Sequence, residues 1–178
     1  MKRIAVFAAI VVSLFFVVVI STSQPQTPPP AVAKQHQAHE VLVIKSTREL
    51  HLLRNGGTFK RYDVSLGAAP SGHKTQEGDE RTPEGKYIID WRNADSIAHL
   101  SLHISYPNSD DKARAAANDT APGGNIMIHG LPNGWGWLNK LHLAWDWTDG
   151  CIAVTNKQMR EIWAHVPNGT PITIVDAI

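Results

Sequence analysis

A chain of 178 residues with 17 basic and 16 acidic side chains carries a formal charge of +1. That near balance gives no sign of nucleic acid binding, which requires a basic face. The length allows one domain plus attachments, and a lone cysteine, Cys151, excludes an internal disulfide framework.

Residues 4–20 are uncharged and almost wholly apolar, and Lys2 and Arg3 precede them. A basic end followed by an apolar stretch is the pattern of an export signal. As a helix its 17 residues reach about 26 Å, slightly short of a hydrocarbon core of ~30 Å. Residues 1–20 therefore read as a signal-anchor or a signal peptide. Either one keeps the basic end in the cytoplasm, sends the rest outside and brings the chain to the membrane through this segment. Residues 21–40, rich in Ser, Thr, Gln, Pro and Ala with Pro28-Pro29-Pro30 at their centre, read as an extended, unpacked tether.

The remainder, 41–178, is β-rich. Val41 to Lys45 is a short strand, and Glu49-Leu50-His51-Leu52-Leu53 continues in alternation. Asn55-Gly56-Gly57 signals a tight turn, after which Lys60 to Leu66 returns. Gly67 to Gly85 is a long polar loop, and loops of that length tend to be functional. Lys86 to Trp91 resumes a strand. His99 to Ser105 alternates, with Leu100, Leu102 and Ile104 on one face and His99, Ser101, His103 and Ser105 on the other. A short helix is expected over Lys112 to Asn118. Ile126 to Ile128 and Cys151 to Val154 are short buried strands.

Thr155 and Gln158 form a capping box. Met159, Ile162, Trp163 and Val166 follow as one apolar stripe, and Pro167 and Gly169 end the helix. Pro171 to Val175 is a last strand. The sum is a mainly β domain with one or two short helices and enough length for one core.

Cys151 is preceded by Gly150 and followed by an apolar run, and Ile128-His129-Gly130 lies upstream. Glycine lets the backbone turn sharply and bring amide N–H groups beside the sulfur. A histidine can take the thiol proton and leave the thiolate that attacks carbonyl carbons. Acyl transfer needs this set: a nucleophile, a base and donors for the developing oxyanion.

Three segments in order carry a family resemblance. Arg81-Thr82-Pro83-Glu84-Gly85-Lys86-Tyr87, Ile128-His129-Gly130 and Thr148-Asp149-Gly150-Cys151 resemble the signature elements of the L,D-transpeptidase (YkuD-type) catalytic domain. The resemblance implies a β-sandwich-like domain outside the inner membrane, on the periplasmic side of a bacterial cell envelope, acting on peptidoglycan stem peptides without a cofactor. It implies acylation of a cysteine by the L-centre of meso-diaminopimelate and transfer to an amine, giving a 3→3 cross-link. By position, Cys151 is the nucleophile, His129 the base, the Gly130 carbonyl the group that orients the ring, and the amides of Gly150 and Cys151 the oxyanion donors.

Two positions depart from the family pattern. Asp149 stands where many members carry His, and Ala153 where many carry Arg. An acid beside the thiol disfavours thiolate but suits an acceptor amine. The missing Arg removes a clamp for a substrate carboxylate. Hydrolysis, or transfer to another amine as in protein attachment to the wall, stays open alongside cross-linking, as does a non-catalytic wall-binding module.

Substrate-binding candidates are Asp149, His103, Arg81 and the tryptophans Trp135 and Trp137. The Trp135–Trp147 segment reads as a loop whose tryptophans either wall the site and stack on sugar or peptide or simply pack the loop. Lys74, Lys86 and Arg160 are further candidates for meeting substrate carboxylates. No metal is expected. His99 and His103 lie ~13 Å apart on a strand, too far for one ion.

Overall fold

A computed structural model describes residues 27–178. The expected signal segment 1–20 and residues 21–26 lie outside the described residues. Among the described residues no helix is long and apolar enough to cross a membrane.

Local sequence builds two hairpins at the start. β1 (Glu40–Ile44) buries Val41 and Val43 and pairs antiparallel with β2 (Glu49–Arg54), which buries Leu50 and Leu52. Asn55 and Gly56 both take positive φ, as a two-residue hairpin turn requires. They return the chain as β3 (Gly57–Asp63). The strand thus starts at the turn and ends three residues short of Leu66. After the long loop comes β4 (Gly85–Asn93), then β5 (Ser101–Ile104), α1 (Ser109–Ala117), β6 (Met127–His129), β7 (Ile152–Ala153), α2 (Asn156–His165) and β8 (Pro171–Val175).

The eight strands form one sheet in the order β3-β2-β1-β8-β4-β5-β6-β7. Two of its pairings, β1 with β8 and β6 with β7, are parallel. The mainly β domain expected from the sequence is thus built as a single curled sheet. β4 makes the curl: its first half pairs with β8 and its second with β5, with a break in register between Ile89 and Arg92. The chain beyond β3 then crosses to the far edge, where Ser65 bridges Ala153 and Gly67 bridges Thr148. The two ends of the sheet are joined through this crossing.

α2 follows the sequence reading closely. Thr155 caps it in a reciprocal box with Gln158, and Met159, Ile162, Trp163 and Val166 are buried. Arg92 lies over the Trp163 ring at 4.6 Å and donates to the carbonyls of Trp163 and Val166. It thus supplies donors that the end of a helix lacks. α1 begins three residues earlier than expected because Asn108 and Asp111 form a capping box of their own.

Two expectations are overturned. The tether is not unpacked over residues 27–38. Arg160 donates to the Thr27 carbonyl, Val32 N–H to Ala164 O at 2.9 Å and Ala38 N–H to His165 O at 2.8 Å. The unpaired carbonyls at the end of α2 recruit this segment, and Ala38 joins the core. The clean alternation of His99 to Ser105 also fails. His99 has φ 68°, outside the strand region, and His99 and Ser101 are buried along with the leucines.

Candidate active site

β6 and β7 lie side by side and parallel, with Ile128 opposite Ile152 and His129 opposite Ala153. Ile128 and Ile152 are fully buried, so they anchor the two strands to the core. Side chains alternate along a strand, so His129 and Cys151 project together from the opposite face. They sit diagonally across the parallel pair, since His129 lies opposite Ala153 and Cys151 stands two residues before it. Both line one cleft of about 480 Å³, with Asp95, Ser101, Asn125 and Asp149 among its other walls.

The ring of His129 is fixed. Its Nδ1 lies 2.6 Å from the Gly130 carbonyl, which accepts only a proton-bearing nitrogen, so Nε2 is left with its lone pair. Trp147 meets the ring edge-on at 5.9 Å. Burial holds the imidazole below its ordinary value of 6.5, against the raising influence of the Gly130 carbonyl. Burial also pushes the Cys151 thiol up, and the Asp149 carboxylate adds to that, while the Met127 backbone and Lys74 pull the other way. The resting pair is thus a neutral thiol beside a neutral imidazole, a base awaiting a proton rather than a preformed ion pair. The thiol donates to the Asn125 carbonyl, 3.6 Å away.

The turn that carries the sulfur is hung from distant parts of the chain. Gly150 has φ +114°, and a β-carbon there would lie 2.5 Å from the Arg81 carbonyl. A β-carbon on Gly67 would lie 2.1 Å from the Glu80 carbonyl. Two glycines therefore let the 80–81 backbone pass directly under the turn that carries the sulfur. Thr82, fully buried, accepts from Gly67 N–H at 3.1 Å, and Lys45 donates to the Thr82 and Gly72 carbonyls and to Glu84. The Arg81-Thr82-Pro83 element is in this way a platform for Gly150 and Cys151. Thr148 braces the turn from within, accepting from Gly150 N–H at 3.2 Å and donating to the Cys151 carbonyl at 2.7 Å.

The expected oxyanion donors divide accordingly. The Gly150 amide is already engaged by Thr148, whereas among the described residues the Cys151 amide has no acceptor. Asp149 is exposed at the cleft wall. Arg81 contributes its main chain, and its guanidinium lies by Gly72, away from the cleft lining. His103 does not reach the cleft. It projects on the same face of β5 but stacks on Trp91 at 4.8 Å and contacts Asp90 at 2.6 Å. Trp135 and Trp137 are 57% and 75% exposed, and neither lines the cleft.

The expected loop around them contains two short 3-10 turns within Gly136–Ala144, broken at Asn139. Trp147, not singled out from sequence, is the tryptophan that meets His129. Lys74 is buried and tied to Asp79 at 2.7 Å. Thr148 stood in the signature itself and could have been assigned from its position. Nothing local marks Asn125 or Ser101.

The fold and cleft together define a curled-sheet domain with a histidine at the end of β6 and a cysteine just before the neighbouring β7 in one cleft. The profile of the YkuD family, the L,D-transpeptidase catalytic domain, matches residues 38–174, and the chain belongs to that family.

Among solved structures, the helical cell shape determining protein Pgp2 of Campylobacter jejuni aligns at 24% identity and TM-score 0.60, over 78% of this chain and 48% of that one. Bd1075 of Bdellovibrio bacteriovorus aligns at 22% identity and TM-score 0.56, over 86% and 54%. The L,D-transpeptidase of Xylanimonas cellulosilytica aligns at 14% identity and TM-score 0.51, over 80% and 63%. These likenesses are of fold, and the chain spans about half the length of the first two. Comparison with curated protein sequences gives no match.

Proposed function

We propose that this domain is a cysteine-dependent L,D-transpeptidase of the cell wall. The reading is carried by the fixed tautomer of His129, whose Nε2 lone pair projects on the same sheet face as Cys151. In the first half-reaction His129 Nε2 takes the thiol proton as sulfur attacks the carbonyl at the L-centre of meso-diaminopimelate in a stem peptide. The S–C bond forms, and the Cys151 amide donates to the oxyanion. The C–N bond to the terminal residue breaks, and His129 returns the proton to the leaving amine. In the second, an amine attacks the thioester, the C–S bond breaks and the thiol is regenerated.

The cleft walls favour an amine acceptor. Asp95 and Asp149 line it, and no Lys or Arg does. A carboxylate pair attracts an ammonium group and repels the carboxylates that abound on stem peptides. Hydrolysis or transfer to a protein amine uses the same thioester. The same charge at Asp149 and the small Ala153 leave room for these, so they remain the second reading.

A substrate in the cell wall, and the apolar segment 4–20 with its basic flank, support a domain outside the cytoplasm. The Pgp2 likeness suggests a part in cell shape.

The test is incubation of the protein with purified tetrapeptide muropeptides, weighing both protein and products. A covalent adduct on Cys151 together with 3→3 dimers, both lost in Cys151→Ala, is the expected result. An adduct with tripeptide alone assigns hydrolysis, and no adduct at all overturns the chemistry.

A further inference from the structure

Beside the thiol cleft lies a second cavity of about 260 Å³. Its walls include Leu131, Pro132, Trp135, Leu138, Trp145 and Trp147, and it contains no charged Asp, Glu, Lys or Arg. Pro132 and Trp147 line both cavities, so the two share a wall. The segment that builds it is clamped at both ends. Leu131 N–H is held by Asn156 Oδ1 at 2.8 Å, and Trp147 N–H donates to the Leu66 carbonyl. Asp146 takes Arg48 at 2.9 Å and Leu66 N–H at 2.8 Å, which fixes the tryptophans on either side. Despite these clamps Trp135 and Trp145 stay 57% and 56% exposed. A rigid loop that holds large aromatic faces open to solvent is arranged for a ligand rather than for packing.

The chemistry of the walls selects that ligand. Without acidic or basic side chains on its walls, the cavity offers no ion-pair partner to a carboxylate or an ammonium group. Indole faces take the C–H face of a pyranose ring. Two wall nitrogens, His142 Nε2 and Trp147 Nε1, are buried without a hydrogen-bond partner. His142 Nδ1 is engaged by Ser65 Oγ, whose own proton goes to the His142 carbonyl, so Nε2 is the accepting nitrogen. Trp147 Nε1 is a donor. An acetamido group, with one N–H and one carbonyl, complements this donor–acceptor pair, and its methyl suits an apolar pocket.

We infer that this cavity is a glycan subsite that seats an N-acetylated amino sugar of the strand to which the stem peptide is attached. The inference deepens the transpeptidase reading and rests on it for the identity of the substrate. It does not need the thiol to react. The shared wall of Trp147 and Pro132 sets the sugar next to the cleft, so a peptide delivered on its glycan is held at two points.

Chitotetraose titrated into the full protein carrying Cys151→Ala tests the site without chemistry. Shifts of the tryptophan indole N–H resonances confined to this loop are expected. Trp145→Ala should weaken the binding by roughly five- to tenfold, the loss of one aromatic contact. In the active protein the KM for disaccharide-tetrapeptide should lie below that for free tetrapeptide, and Trp145→Ala should remove that difference. Absence of oligosaccharide binding, or binding untouched by Trp145→Ala, overturns the subsite even if acyl transfer is observed. Binding of phospholipid vesicles in place of oligosaccharide overturns it equally. Oligosaccharide binding in a protein that never acylates would keep the subsite and refute the transpeptidase reading.

Discussion

Thr148 is the point at which stability and reactivity meet, and replacing it with valine separates this account from a merely steric one. The side chain is buried, and its one hydroxyl serves two main-chain groups, accepting from Gly150 N–H and donating to the Cys151 carbonyl. Valine keeps the shape and leaves both groups without that partner. A buried backbone group left unpaired costs about 1–3 kcal/mol, so the pair should cost roughly 2–4 kcal/mol after partial relaxation. For a domain of this size 1 kcal/mol moves Tm by about 2–4 °C, which gives a fall of about 4–16 °C. Serine restores the hydroxyl without the methyl and should recover most of it. Thermal unfolding read by near-UV circular dichroism measures the three proteins. Labelling of Cys151 by a carbapenem, followed by mass, reads the turn. Valine should slow acylation well beyond serine, because the freed Gly150 amide and Cys151 carbonyl let the turn relax. Equal Tm and equal labelling for Thr148→Val and Thr148→Ser would refute the claim that this hydroxyl holds the turn.

Gly150→Ala should cost at least about 1–3 kcal/mol by backbone strain alone. The added methyl at 2.5 Å from the Arg81 carbonyl should bring the loss higher, measured as a fall in urea midpoint. Lys45→Met removes a fully buried ammonium that ties Glu84, Gly72 and Thr82 together. Breaking a buried pair costs about 3–5 kcal/mol, and the partial exposure of Glu84 sets the expectation near 3. Hydrogen exchange should show protection lost over residues 72–84 before the rest of the sheet.

The pH behaviour follows from the two shifts. His129 is held below 6.5 in the fold, so its neutral ring stabilises the protein above that pH, and this is lost as pH falls through the folded value. Cys151 is held above 9.0, so its contribution is complete below that pH and is lost as pH rises through the folded value. Alkylation of Cys151 by iodoacetamide should accordingly be slow near neutrality and still climbing above pH 9.0, and a plateau near neutrality would contradict a buried neutral thiol.

The parts of this molecule that were legible in the sequence are those set by neighbours along the chain. α2 was readable because its cap, stripe and stop lie within fifteen residues of one another. The first hairpin was readable because Asn55-Gly56 demands its turn. The signature segments marked the cleft because the turn before Cys151 needs Gly150 and its platform. What stayed hidden depends on partners far apart in the chain. Lys45 looked like a strand-end lysine, yet it is buried against carbonyls of the loop before β4. His103 looked like a wall of the cleft, yet Asp90 and Trp91 in the neighbouring strand claim it. Ser101 looked solvent-facing, yet it lies opposite His129 inside the cleft. The strap of residues 27–38 gave no signal because much of what holds it is main-chain hydrogen bonding to the end of α2, which any sequence can offer.

The suspension of the sulfur-bearing turn from residues 65–67 and 80–82 ties competence to the completion of folding. Those contacts join stretches far apart along the chain, and pairings of this kind form late because the intervening loop must first be closed. Until then the thiol is an ordinary solvated one, with no ordered donors behind it and no oriented imidazole beside it. A half-collapsed molecule thus has a thiol open to small electrophiles but no ordered groups around it, and a defect in the contacts of residues 65–67 or 80–82 would loosen the turn without touching the sulfur itself.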